Sequence, residues 1–167
     1  YAPLFATVTP LEITKVLSGD RNTGLKEGEF SFEMSVLSAE PADGIQLPAT
    51  AVVSNDAAGK VNFGNIVFTR PGTYVVQVRE VVPEDGSKAP GISYDEHVIS
   101  TTFTVADRNG QLVATRTSSP GELEFENDYE TIGTLTGSKN LQVTKVLTGR
   151  AWEPDDTFSF ELTAGDE

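Results

Sequence analysis

Short runs of alternating apolar and polar residues, separated by Gly, Pro, Asn and Asp, make up most of the chain, and helical periodicity is nearly absent. Runs of this kind, rich in Val, Ile, Thr and Phe, are typical of an all-β sandwich or barrel. The alternation predicts strands at residues 9–17, 30–37, 49–55, 61–69, 73–82, 93–107, 111–117 and 123–129.

Three polar residues take strand positions that the alternation assigns to the core. Lys15 shares the parity of Leu11 and Ile13 in the first strand. Glu80 and Asn127 have the apolar parity of a middle strand and of the last strand. Buried charge is costly unless it is paired or neutralised. Two structural explanations are open. In the first, the parity is shifted by one residue, or the residues lie at strand ends and reach water. In the second, the lysine and the glutamate form a buried ion pair and the asparagine is hydrogen-bonded to it.

The same three residue types also allow a covalent reaction. Burial lowers the pKa of a lysine and raises that of a carboxylic acid. A neutral amine beside an asparagine amide is a nucleophile beside an electrophile. A protonated glutamate can hydrogen-bond the amide oxygen, stabilise the charge that develops there and shuttle protons. The product would be an amide between Lys15 and Asn127, formed with loss of ammonia.

The opening strand is repeated near the end of the sequence. LEITKVLSG at residues 11–19 aligns with LQVTKVLTG at 141–149, and FSFEMS aligns with FSFELT, so Lys145 repeats Lys15. A period this long favours tandem domains over a solenoid. We expect the tail of a preceding repeat at 1–8, a full repeat at 9–130, a linker at 131–140 and the opening hairpin of a further, truncated repeat at 141–167.

Composition narrows the classes of function. The net charge is −13, which argues against nucleic acid and anionic membrane surfaces as partners, because those need cationic patches. There is no cysteine and a single histidine, so thiolate and multi-histidine metal sites are excluded and neither a metal nor a cofactor is expected. His97, beside Asp95 and Glu96, is expected at the surface. No apolar run reaches the ~18 residues of a membrane span.

An ordered set of motifs covers almost all of residues 9–129 and resembles the isopeptide-linked domains of Gram-positive pilins and surface adhesins. The resemblance is to the streptococcal pilin isopeptide-linkage type, a relative of the Cna B-type repeat. It implies an immunoglobulin-like antiparallel β-sandwich with Greek-key-like connections. The motifs are, in order, TKVLSG with Lys15, FSFEM, GKVNFGNIVFTRPGTYVVQVRE with Glu80, SYDEHV, NGQLVA and FENDY with Asn127.

By this resemblance, Lys15 and Asn127 are the cross-linked pair and Glu80 is the catalytic acid. The neighbouring Asp128 has the wrong parity for that role. No matching glutamate or asparagine follows Lys145, so its amine is expected to stay unlinked.

The function that the resemblance implies is structural. We expect a stalk repeat of an extracellular, cell-wall-anchored adhesin or pilin, whose single-turnover cross-linking does not make it an enzyme in the usual sense. No sortase signal or pilin-polymerising lysine motif is evident in the sequence, which favours a stalk repeat over a shaft pilin. Neighbouring repeats are the expected partners. The alternative is an adhesive domain that binds a host protein or glycan through its loops at residues 19–29, 38–48 and 83–91.

Overall fold

The computed structural model describes residues 4–8, 11–21, 23–117, 123–131, 133 and 142–163. The chain divides into two compact units, Tyr1–Ile132 and Gly133–Glu167. Every strand of the described residues lies in the first unit. The strands are β1 (Ala6–Val8), β2 (Ile13–Gly19), β3 (Ser31–Glu40), β4 (Ile45–Gln46), β5 (Val52–Ser54), β6 (Lys60–Val61), β7 (Ile66–Phe68), β8 (Gly72–Glu80), β9 (Ile92–Ser93), β10 (Val98–Asp107), β11 (Leu112–Thr117) and β12 (Glu124–Tyr129).

These strands form three sheets, with the orders β1-β7-β4, β11-β10-β8-β3-β5 and β6-β2-β12-β9. The predicted all-β, immunoglobulin-like sandwich class is confirmed. One short 3-10 helix, Asp85–Ser87, is the only helical element in the described part of the chain. That part contains no helix long and apolar enough to cross a membrane.

Strand pairing among the described residues is antiparallel with one exception. β2 and β12 run parallel and lie side by side, so the last strand of the sandwich pairs with a strand near its start. Parallel neighbours require a long crossover between them, and here that crossover is the rest of the domain. The consequence is that the two strands carrying Lys15 and Asn127 are hydrogen-bonded neighbours, although they lie far apart in the sequence.

Alternation along the strands builds the core, because every second side chain of a strand faces the same side. β8 shows this most regularly: its buried positions alternate with exposed or half-buried ones from Tyr74 to Glu80. The rings of Phe68, Tyr74 and Phe103 pack together with centroids 5.0 and 5.3 Å apart. The largest fully buried apolar side chains of the core are Phe32, Phe68, Tyr74, Phe103, Phe125, Ile13 and Ile66.

Two of the predicted strands are interrupted. The strand expected at 61–69 becomes β6 and β7, which belong to different sheets, and Gly64 between them adopts a φ of +95°. The strand expected at 93–107 becomes β9 and β10, with residues 94–97 outside any ladder. Asp95 lies in that interruption, and its carboxylate accepts the backbone N–H groups of His97 and Glu126. The bond to His97 is a local side-chain to backbone bond, a kind that competes with sheet pairing.

The segment expected as the tail of a preceding repeat contributes to this sandwich. Within residues 1–8, the strand β1 pairs antiparallel with β7, opposing Thr7 to Val67. Residues 1–3 lie outside the described residues.

The second unit contains no hydrogen-bonded strand in its described residues 142–163. An isolated two-stranded hairpin is marginally stable in water, so the opening hairpin predicted at 141–167 would need the rest of its own module for stability, and it stays a prediction. Trp152 packs edge-on against Phe158 at a centroid distance of 5.5 Å. Arg150 forms an ion pair with Asp156 at 2.6 Å. Most of the expected linker at 131–140 lies outside the described residues.

Candidate functional site

Lys15 and Asn127 project from adjacent strands of the same sheet. In the parallel register of β2 and β12, Lys15 lies opposite Phe125 and Asn127 lies opposite Leu17. The two polar residues are therefore diagonal neighbours on one face of the sheet, within reach of a long side chain. Both are buried, as their parity predicts.

Glu80 lies on a different sheet, the five-stranded one that contains β8. It is the last residue of β8, where it opposes Phe32 of β3. Its Oε2 accepts a hydrogen bond from Lys15 Nζ at 2.8 Å, and its Oε1 accepts one from Asn127 Nδ2 at 2.7 Å. One carboxylate thus links the amine and the amide, and the structure brings all three sequence-predicted residues together.

This cluster is closed to solvent. The exposed fractions of Lys15, Glu80 and Asn127 are 2%, 5% and 0%. Aromatic rings surround the amine: Lys15 Nζ lies 4.8 Å from the centre of the Phe30 ring and 5.9 Å from that of Phe32. The three polar groups are shielded from water, so they depend on protein partners, and electrostatic interactions among them are strong.

Burial lowers the pKa of the Lys15 ammonium below its ordinary value of 10.5. The hydrogen bond and the charge of Glu80 oppose this shift, as do the more distant charges of Asp95 and Glu126, but they do not reverse it. Because a neutral amine is the nucleophilic form, a lowered pKa makes Lys15 reactive at a lower pH than an exposed lysine.

A fourth group, which the sequence analysis missed, fixes the direction of the asparagine amide. The backbone N–H of Asp95 donates to Asn127 Oδ1 at 2.7 Å. A backbone N–H can only donate, so the amide oxygen must face Asp95, and the NH2 group must face Glu80. The prediction from the sequence is a hydrogen bond from a protonated Glu80 to the amide oxygen. In the structure Glu80 bonds the amide nitrogen instead.

The remaining candidates lie outside the cluster. Asp128 is exposed and accepts a hydrogen bond from Ser18 Oγ at 2.9 Å, which agrees with the parity argument against it. His97 has an exposed side chain, as expected, and its Nδ1 lies 2.5 Å from Asp95 Oδ1. Lys145 lies exposed in the second unit, with its Nζ 4.7 Å from the centre of the Phe158 ring.

Asp95 could have been suspected from one signal in the sequence. SYDEHV places two acidic residues and a histidine in the middle of a predicted strand, and Asp commonly leaves a ladder to bond its own backbone. Among the described side chains, no group of three or more His, Asp or Glu residues is arranged to hold a metal ion.

The solved structures that are similar to the chain include three structures of streptococcal major pilins. Crystal structures of the major pilin from Streptococcus pyogenes, as the unmodified protein and as a mutant with one glutamate replaced by alanine, are 21% and 20% identical to the chain, each with a TM-score of 0.46. Each match covers 72% of this chain and 50% of the pilin chain. The T-13 major pilin of the same species is 22% identical with a TM-score of 0.42, covering 78% and 55%.

The chain thus spans about half the length of the solved structures that it matches. No curated protein sequence matches it. Residues 11–130, which include the whole Lys15, Glu80 and Asn127 cluster, match the family described as FctA, Spy0128-like isopeptide containing domain. The chain therefore belongs to this family of isopeptide containing domains.

Proposed function

We propose that residues 9–130 are a structural module of an extracellular surface pilus or adhesin stalk, cross-linked by an autocatalytic isopeptide bond between Lys15 and Asn127. One observation carries this proposal: the buried Glu80 carboxylate hydrogen-bonds the Lys15 amine through one oxygen and the Asn127 amide nitrogen through the other. Membership of the isopeptide family supports the class of chemistry.

The proposed reaction balances within the cluster. Lys15 gives a proton to Glu80 and attacks Asn127 Cγ, forming the new C–N bond while the carbonyl electron pair moves onto Oδ1. The tetrahedral intermediate collapses: Glu80 gives its proton to the departing nitrogen as the bond from Cγ to Nδ2 breaks, and the lysine nitrogen then loses its second proton to the Glu80 carboxylate, which ends protonated. The products are a secondary amide and one molecule of ammonia. The contacts of the two carboxylate oxygens suit this transfer, because one faces the amine and the other the leaving group.

The strand topology supports a mechanical purpose. β2 and β12 are parallel neighbours, so tension applied at the two ends of the module would shear one strand along the other. A covalent bond between Lys15 and Asn127 would carry that load directly and leave the intervening strands unloaded. The closed loop is about 110 residues long; if the bond constrains the unfolded chain as a disulfide does, it stabilises the fold by about 4–5 kcal/mol.

The proposal extends to the arrangement of the chain. Residues 131–140 serve as a linker to a further module that opens at 141–167, and Lys145 keeps a free amine in this sequence. The module is then a cell-wall-anchored stalk element whose partners are neighbouring modules of the same kind. Each molecule reacts once on itself, so the protein is a substrate of its own chemistry and does not turn over.

Intact-mass spectrometry of the folded protein tests the cross-link. The unaltered chain should weigh less than its sequence mass by one ammonia, and Glu80→Gln should keep its full sequence mass, because glutamine cannot shuttle the proton. Glu33→Gln is the matched control: Glu33 lies on β3 and pairs with Arg79 of β8 outside the core, so this variant should still lose ammonia. A full sequence mass for the unaltered, folded chain would refute the proposal.

A further inference from the structure

The interruption between β9 and β10 places a hydrogen-bond donor on the atom where negative charge develops in the proposed reaction. Residues 94–97 lie outside any ladder, and within them the Asp95 N–H points at Asn127 Oδ1 from 2.7 Å. Asn127 is fully buried, so no water competes for that oxygen. A donor held at 2.7–3.1 Å from a developing oxyanion is the geometry of an oxyanion hole.

The side chain of Asp95 holds this donor in place. Its Oδ2 accepts the backbone N–H of Glu126 at 2.8 Å, and Glu126 directly precedes Asn127 on β12. Its Oδ1 accepts the backbone N–H of His97 at 3.0 Å and lies 2.5 Å from His97 Nδ1. The interrupted segment is thereby tied to the strand that carries the reacting amide. Burial alone raises the pKa of the Asp95 carboxyl, but these hydrogen bonds outweigh that effect and lower it, so the carboxylate form persists.

We propose that the backbone N–H of Asp95 is the oxyanion donor of the cross-linking reaction, and that the Asp95 carboxylate is the positioning group that holds it. This inference rests on the proposed function. When Lys15 attacks Cγ, the charge on Oδ1 grows and the bond from the Asp95 N–H strengthens. Glu80 cannot serve this oxygen, since both of its own oxygens are engaged elsewhere in the cluster.

The same donor sets the direction in which the leaving nitrogen points. With Oδ1 held by Asp95, the nitrogen of the amide is directed at Glu80, which can protonate it for departure. Rotation of the amide by half a turn would set the Asp95 N–H against the NH2 group, two donors facing each other. Oδ1 is retained in the product, so the bond from Asp95 persists on the carbonyl of the isopeptide.

Replacing a single backbone N–H by an ester oxygen tests the donor without changing a side chain. The ester is introduced at position 95 in the full chain. The matched control carries an ester at Gly110, whose N–H donates to Asp107 Oδ1 at 2.8 Å in an exposed turn. Each chain is purified unfolded and unlinked, then refolded at a pH low enough that cross-linking of the unaltered chain lags behind folding. Folding is followed by circular dichroism and cross-linking by the loss of ammonia in the intact mass.

The ester at 95 should fold like the control and then cross-link about 10²–10³-fold more slowly, which is the effect of removing one oxyanion donor. Equal cross-linking rates in the two ester chains would overturn the inference while leaving the proposed function intact. Failure of the unaltered chain to lose ammonia would instead refute the proposed function itself.

Two side-chain variants cover the case in which the ester at 95 does not fold. Asp95→Ala keeps the N–H but removes its support, and should slow cross-linking; Asp95→Asn keeps one acceptor oxygen and should restore part of the rate. NMR tests the hydrogen bond directly: the Asp95 amide proton should shift when Asn127→Ala removes its acceptor. Equal rates for both variants and the unaltered chain, or an unmoved Asp95 resonance, would overturn the inference.

Discussion

Lys15 and Lys145 occupy the same local sequence in the two units and have opposite surroundings. Each follows a Thr and precedes Val-Leu, and each amine lies against a phenylalanine ring, at 4.8 Å from Phe30 and 4.7 Å from Phe158. Phe158 is the counterpart of Phe30 in the repeat. Yet Lys15 is 2% exposed and bonded to Glu80, whereas Lys145 is exposed.

The difference shows which contacts of the lysine form within a local segment and which require the complete sandwich. A lysine and a phenylalanine some fifteen residues apart come together in both units. Lys15 is buried and has chemical partners only because β8 and β12 pack around it. One partner, Glu80, lies 65 residues further along the chain. The reactivity assigned to Lys15 is thus a property of the completed fold.

The largest expected effect comes from replacing the two lysines by methionine, which has a similar length. Lys15→Met should keep the full sequence mass and lower the free energy of unfolding by about 4–5 kcal/mol through loss of the cross-link. Lys145→Met should still lose ammonia and change the free energy of unfolding by no more than about 0.5 kcal/mol, as is usual for exposed positions. Denaturant unfolding and intact mass measure both. Loss of ammonia in Lys15→Met would contradict the comparison.

The two phenylalanines give the next largest difference. Phe30 is 3% exposed and its ring meets that of Tyr94 edge-on, so Phe30→Ala should cost about 3–5 kcal/mol by leaving a cavity. Phe158 is 43% exposed, and Phe158→Ala should leave the unfolding transition of the first unit unchanged. Thermal unfolding followed by circular dichroism compares them. Similar losses of stability for both variants would show that the second unit is not merely a local cluster.

The smallest expected effect is a pH dependence of the free energy of unfolding that arises from the burial of Lys15. In Asn127→Ala no bond can form, and the pKa of Lys15 in the folded protein lies below its ordinary value of 10.5. Between the lowered pKa and 10.5 the unfolded chain binds more protons, so the free energy of unfolding should rise with pH through that window. Adding Lys15→Met should remove the rise, and adding Lys145→Met should leave it. If the rise with pH persisted after Lys15→Met, it would come from another titrating group.

Much of this protein is determined by alternation in the sequence. Period-two patterning identified the all-β class and placed Lys15, Glu80 and Asn127 in the core, because burial of one sheet face fixes the parity of every residue on a strand. The repeat of TKVL identified Lys145 as the counterpart of Lys15. These are inferences from local pattern, and local pattern determines strand faces well.

Only the tertiary structure decided how those faces meet. Alternation carries no information on which strands pair, so the parallel contact of β2 with β12 and the approach of Glu80 from the opposite sheet could not be read from it. The acidic residues of SYDEHV hint at the interruption at Asp95, but its bonds to Glu126 and Asn127 join segments that are distant in sequence, and alternation does not predict them. Those same bonds turn the amide of Asn127, and with it the chemistry that the cluster can perform.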